Sequence, residues 1–213
     1  MIVHKSFKHG WFYHYRLHKL NSENLCNPQF FELDKYLNSL FENCPDKHFN
    51  KIRSSSMKFP LDFEMKKTKN HEVSSLAQEG VVNGTKSAHT NVQLHMLNYD
   101  PKTIAVEVPL WIESHENMHH ERIFNTNEPL SGHIDVLRIE DDKIWVWDFK
   151  PGAHLEKFAV TQTFFYSLML SKRTGIPLND FRCGYFDDEL AFMFKPEIKA
   201  LEKLSFEKQL LIK

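Results

Sequence analysis

Two aspartates and a lysine between Gly132 and Lys150 (GHIDVLRIEDDKIWVWDFK) are spaced for hydrolytic chemistry. Runs rich in Ile, Val, Leu and Trp flank the polar break Glu140-Asp141-Asp142-Lys143, the pattern of two antiparallel strands joined by a tight turn. If Asp141 and Asp142 form a two-residue loop, Glu140 faces Lys143 and, counting back along both strands, Asp135 faces Asp148. Directly opposed residues have Cβ atoms about 4.5–5.5 Å apart, so two carboxylates there repel. A divalent cation offsets that repulsion, and Mg2+ and Mn2+ prefer carboxylate and water ligands. Lys150, two residues beyond Asp148, projects from the same strand face and brings an ammonium to the ion. Asp135, Asp148 and Lys150 are thus the expected catalytic set, with both aspartates as metal ligands. Asp-Asp is not a favoured two-residue turn, and a slip of one residue would send one carboxylate to the other face, leaving two strand-end acids in water. The apolar run Ile144, Trp145, Val146, Trp147 and Phe149 favours the metal, because an ionised Asp on a strand covered on both faces needs a partner.

The surrounding elements must position this set. Thr103 to Glu113 alternates Ile104, Val106, Val108, Leu110 and Ile112 with Ala105, Glu107, Pro109 and Trp111, a half-buried strand with an edge or bulge at Pro109. Glu72 to Leu97 reads as helical, weakened at Gly80 and Gly84. After the stop at Pro151-Gly152, Glu156 to Leu170 is a helix on which Gln162 and Tyr166 share one face, where an amide and a phenol could hold a phosphate or the lysine. Phe181 to Phe186 and Leu190 to Phe194 read as a hairpin, and a terminal helix follows Pro196. Helix, three strands, helix and strand in that order suit a three-layer α/β/α core. The spans are then 1–72, a mostly helical extension or cap with a helix from Pro28 to Phe41; 73–195, the core; and 196–213, the C-terminal helix.

One further stretch matches a different chemistry. His115-Glu116-Asn117-Met118-His119 fits the zinc-peptidase pattern, in which one helical turn brings two imidazoles to a metal and the Glu acts as base. Ser114 before it and Asn125, Asn127, Pro129 and Gly132 after it make a polar loop the better reading.

The chain has 213 residues, 41% hydrophobic and 26% charged, enough for one domain with a sizeable core and too apolar for a disordered one. No apolar run approaches the ~20 residues of a membrane-spanning helix, and the amino terminus lacks the apolar centre of a secretory signal, so no membrane association and a cytoplasmic location are expected. Cys26, Cys44 and Cys183 have neither the even count of a disulfide framework nor the spacing of a zinc ribbon. A formal net charge of −1 does not advertise a nucleic-acid partner, but Lys5, Lys8, Arg16 and Lys19 stand without acids in the first twenty residues, and residues 51–69 hold six basic side chains. Both segments could meet phosphates or simply be solvated faces.

Gly132-x-x-Asp135, Asp148-x-Lys150 and Gln162-x-x-x-Tyr166, in that order on a hairpin and helix, resemble the PD-(D/E)XK nuclease superfamily, specifically its RecB-like exonuclease branch. The likeness extends over roughly residues 80 to 190, where Gly84 to His89 looks like the helix that precedes the sheet. It implies a restriction-endonuclease-like core with a central mixed sheet and a metal-dependent DNA exonuclease. His89 joins Asp135, Asp148 and the backbone carbonyl of Phe149 as ligands to Mg2+ or Mn2+, Gln162 and Tyr166 bind substrate, and Glu107 matches a glutamate often found on its strand. DNA is the implied partner, with a helicase or recombination protein beside it. Many such relatives hold an iron–sulfur cluster on four cysteines; with three, wrongly spaced, none is expected here. A non-catalytic DNA-binding or assembly module on the same fold is the alternative.

Overall fold

The computed structural model describes residues 1–204, which form an α/β fold around one nine-stranded mixed sheet. The chain opens with the hairpin of β1 (Ile2–His9) and β2 (Trp11–His18), followed by helices α1 (Lys19–Cys26) and α2 (Phe31–Asn43). Two short strands, β3 (Ile52–Arg53) and β4 (Lys66–Lys69), lead to α3 (Glu72–Asn83) and α4 (Ala88–Tyr99). Then come β5 (Thr103–Ile112), the short α5 (His120–Phe124), the hairpin of β6 (Leu130–Glu140) and β7 (Lys143–Phe149), α6 (Ala159–Thr174), β8 (Phe181–Phe186) and β9 (Leu190–Phe194). The sheet order is β1-β2-β5-β6-β7-β8-β9-β4, with β3 beside the start of β6. β7 with β8 and β3 with β6 run parallel, and the remaining pairs are antiparallel. A parallel pair needs a long crossover, which α6 supplies between β7 and β8.

The central hairpin has the register expected from its turn. Pairing runs from Glu140↔Lys143 to Val136↔Trp147, and Asp141 and Asp142 occupy the turn with φ of +50° and +53°. Asp tolerates this left-handed region because its short side chain can hydrogen-bond locally. β7 is covered on both faces. Ile144 and Val146 belong to the larger apolar cluster with Phe164, Phe165 and Met169 of α6 and Leu33 and Leu37 of α2, whereas Trp147 and Phe149 pack with Val73 and Ala77 of α3 and Val92 and Met96 of α4. A buried ion cluster fastens α3 and α4 to β6: the fully buried Arg138 donates from Nε to Asp100 Oδ2 at 2.7 Å and from Nη2 to Glu72 Oε2 at 2.9 Å.

Several expected elements are corrected. Residues 1–72 are not mostly helical: α2 forms where a helix was expected, but the segment also gives four strands to the central sheet. In β1 and β2 the buried Phe7, Tyr15 and Leu17 alternate with polar or exposed residues whose basic and aromatic character hides the two-residue period. β4, Lys-Lys-Thr-Lys, has no apolar signal and is recruited by backbone pairing with β9. The single helix expected over Glu72 to Leu97 is two. A Cβ at Gly84 would lie 2.0 Å from Asn91 Cγ, whose amide instead bonds both the N–H and the carbonyl of Lys86 and fixes the break. His115 to His119 does not form the helix a zinc peptidase needs. Ser114 to Glu116 is a short 3-10 turn, Asn117 is extended, and Glu116 is engaged by Arg173 and by the Glu113 N–H. After Pro196, residues 199–204 are helical; the rest of the expected C-terminal helix lies outside the described residues. No helix among the described residues is long and apolar enough to cross a membrane.

Candidate functional site

Three adjacent strands each deliver a carboxylate at one level of the sheet. Val106↔Val136 and Val108↔Ile134 bracket Glu107 opposite Asp135, and Asp148 lies one step beyond Val136↔Trp147 on the other side of Asp135. Neither acidic pair forms a regular ladder step. Glu107 has φ +53°, and on β6 the residues facing the larger core change from Leu130 and Ile134 before Asp135 to Leu137 and Ile139 after it. This break in alternation opens the strands where the acids converge.

His89 enters from the first turn of α4, whose N-cap Ser87 accepts the Thr90 N–H at 3.3 Å. Its Nε2 lies 3.1 Å from Asp135 Oδ1 and 3.9 Å from Glu107 Oε1. One helical turn further, Gln93 donates from Nε2 to Glu107 Oε1 at 2.7 Å. The Phe149 N–H donates to Asp135 Oδ2 at 2.9 Å. On the opposite side Asp148 Oδ1 accepts from Gln162 Nε2 at 3.2 Å, while Oδ2 stands 2.7 Å from Lys150 Nζ. The Gln162 amide also donates to the Tyr166 hydroxyl at 2.8 Å. Gly132 lets this helix approach, since a Cβ there would sit 2.3 Å from Tyr166 Cε1 and 2.4 Å from Ser54 Oγ. The groups line a cleft of about 130 Å³, with Tyr13, Arg53 and His133 on its wall.

The charges are crowded. Burial, and then the neighbouring Asp135, pushes the Asp148 carboxyl up to about 8. Burial and Asp135 likewise push Glu107 up to about 7. Asp135, although burial opposes ionisation, is held below the usual carboxylate range by His89. His89 in turn is raised to about 9, chiefly by Asp135. Lys150 rises against its burial because Asp148 and Asp135 face it. The His89 imidazolium and the Lys150 ammonium offset part of the repulsion among the three adjacent acids, and the raised Glu107 and Asp148 carboxyls relieve the rest by holding their protons more tightly. One donor atom each from His89, Glu107 and Asp135 falls within 4.8 Å of the others, a nitrogen and oxygen set suited to a divalent ion.

Asp135, Asp148, Lys150, His89, Gln162 and Tyr166 thus converge on one cleft, as does Glu107, the weakest of the expected residues. Of Phe149 it is the N–H that makes the observed contact, with Asp135. Tyr13, Arg53, His133 and Gln93 were not anticipated. Gln93 had a signal, lying four residues after His89 on a helix; the other three arrive through tertiary pairing alone. Compared with models of known protein families, with curated proteins and with solved structures, the chain gives no match.

Proposed function

We propose that the chain is a metal-dependent nuclease, a phosphodiester hydrolase acting on DNA as an exonuclease in the manner of the RecB-like PD-(D/E)XK enzymes its motifs resemble. The observation that carries this reading is the meeting of Asp135, Asp148 and Lys150 on one hairpin with His89 from a separate helix. The mixed sheet, with helices packed against alternate residues of β7, is in keeping with a restriction-endonuclease-like three-layer core. His89, Glu107, Asp135 and Asp148, with the Phe149 carbonyl, would hold Mg2+ or Mn2+, and the imidazole favours Mn2+. The ion supplies Lewis acidity toward the phosphate and toward water. Lys150, held against Asp148, places its ammonium where negative charge develops on the phosphoryl oxygens. Gln162 and Tyr166 keep Asp148 oriented and offer an amide and a hydroxyl to the substrate. Across the cleft Arg53, stacked over the Tyr13 ring at 5.0 Å, presents a guanidinium, whose planar fork suits phosphate.

The test is an assay on labelled linear and circular DNA with Mg2+ or Mn2+, with casein and Zn2+ as a control. Degradation of linear DNA alone, lost in Asp148→Asn, is the expected result. DNA binding without cleavage under every metal condition would replace the enzyme by a binding module, and casein hydrolysis would overturn the reading altogether.

A further inference from the structure

The geometry points to a second metal site, outside the carboxylate cleft, in which His9, Cys44 and Asp46 bind Zn2+ and tie the N-terminal hairpin to the end of α2. This inference is independent of the nuclease reading. One donor atom from each of the three residues lies within 4.8 Å of the others. Tetrahedral Zn2+ with bonds of about 2.0–2.3 Å needs its ligands roughly 3.5 Å apart, so the set must draw in by about an ångström. Asp46, with a side chain 71% exposed, has the freedom to do so and leaves a path from solvent.

Local backbone prepares the site. Cys44 caps α2 with φ −73° and ψ 120°, and Pro45 follows at φ −85° and ψ 90°. Two successive extended residues put the side chains of Cys44 and Asp46 on the same side, and the proline ring holds that geometry. His9, the last residue of β1, is fully buried and its ring is stacked on Phe49 at 3.7 Å. Its Nε2 faces Asp46 Oδ1 at 3.0 Å and its Nδ1 meets His133 Nε2 at 2.9 Å. A metal-binding histidine characteristically has its second nitrogen held by such a partner. With the ion on Nε2, His9 keeps its proton on Nδ1 and donates it to His133.

The donor set selects the ion. A thiolate and an imidazole favour Zn2+ over Mg2+ and Mn2+, and a thiolate with one carboxylate balances two positive charges. In the metal-free chain burial, followed by Asp46, pushes the Cys44 thiol up to about 12. Binding therefore releases one thiol proton to solvent for each ion taken up. Through His9 and His133, the site reaches the wall of the cleft two positions before Asp135.

Co2+, a spectroscopic stand-in for Zn2+, tests this on the metal-free full chain. We expect saturable thiolate-to-cobalt charge-transfer absorption, displaced by Zn2+, absent in Cys44→Ala and retained in Asp148→Asn. His133→Gln, which removes the group orienting His9, should lower Co2+ affinity by about 10–100-fold. In the unsubstituted chain Zn2+ should protect Cys44 from alkylation, read by mass spectrometry, which needs no variant to fold. The proposal is overturned by absence of the thiolate band, by its survival in Cys44→Ala, or by Cys44 alkylation at one rate with and without Zn2+.

Discussion

Lys150 and His89 both touch the aspartates, yet they should fail differently when removed. Lys150→Ala should still bind Mn2+ but cleave at least 100-fold more slowly, because in the proposed reaction the ammonium would act on the reacting phosphate (losses of roughly 10²–10³ are usual for such groups). His89→Ala should lose Mn2+ affinity as well as activity. His95→Ala is the control: His95 lies on the same helix but pairs with Glu79 at 3.1 Å, and its loss should leave both nearly unchanged. Calorimetry and single-turnover cleavage on the three variants separate these roles, and unaltered Mn2+ affinity in His89→Ala would remove it from the ligand set. Protonation gives a second prediction. The carboxyl of Asp148 has an ordinary value of 3.8 and titrates at about 8 in the fold, so folding takes up a proton between those values and stability falls as pH rises through them. His89, raised from 6.5 to about 9, acts in the same direction: its contribution is complete below about 6.5 and is lost as pH climbs through about 9. Melting temperatures of the metal-free chain should therefore drop from about pH 7.5, above the range in which histidines that burial lowers, such as His9 and His133, add stability with rising pH, to about pH 9, and saturating Mn2+ should flatten the drop by replacing the protons. A metal-free melting temperature that rises over this range would contradict the assignment.

Among the elements, the contact of β6 with α6 is the most sensitive to a single atom. Gly132→Ala puts a methyl group within 2.4 Å of both Tyr166 and Ser54, so the ring that bonds Gln162 must move. A loss of about 1–3 kcal/mol in chemical denaturation, typical of overpacking, should accompany weakened cleavage; unchanged stability would mean that the close approach is not constraining. The hairpin that carries this glycine was legible in the sequence because a polar two-residue break between two apolar runs sets the pairing from Glu140↔Lys143 to Val136↔Trp147; the departure from regular pairing at Asp135 and Asp148 had no such signal. The break between α3 and α4 was legible in part, through Gly84, which weakens the helical pattern, but the apolar periodicity spans it and conceals it. Glu107 was hard to rank because nothing local announces a left-handed residue inside a strand; its place follows from pairing with β6. Arg53, Tyr13 and His133 were invisible for a related reason. Each is ordinary in its own segment and reaches the cleft only after segments far apart in sequence have paired.

On the scale of the whole molecule, the first eighteen residues are part of the sheet and not an appendage. Tyr15 and Leu17 are fully buried, and β2 pairs with β5 at Arg16↔Val106 and Leu17↔Ala105, next to Glu107. Leu17→Ala should therefore cost about 2–5 kcal/mol, as truncations of buried leucines do. A chain lacking residues 1–18 should lose its cooperative unfolding transition, measurable by circular dichroism; a melt like that of the full chain would make the hairpin dispensable.

The sheet order carries a consequence for how the protein is made. Its two outer strands, β1 and β4, both come from the first seventy residues, whereas the strands between them include the last to be synthesised. On a ribosome both borders are therefore made before β5 to β9 of the interior exist. β2 must wait for β5 and β4 for β9, so the nascent hairpin stands with Tyr15 and Leu17, fully buried in the finished fold, uncovered while more than eighty residues are added. Such long-range pairing is slow to nucleate. The lysines of β4, at the border of the sheet, are of the kind that keep an unpaired strand edge from associating with other chains.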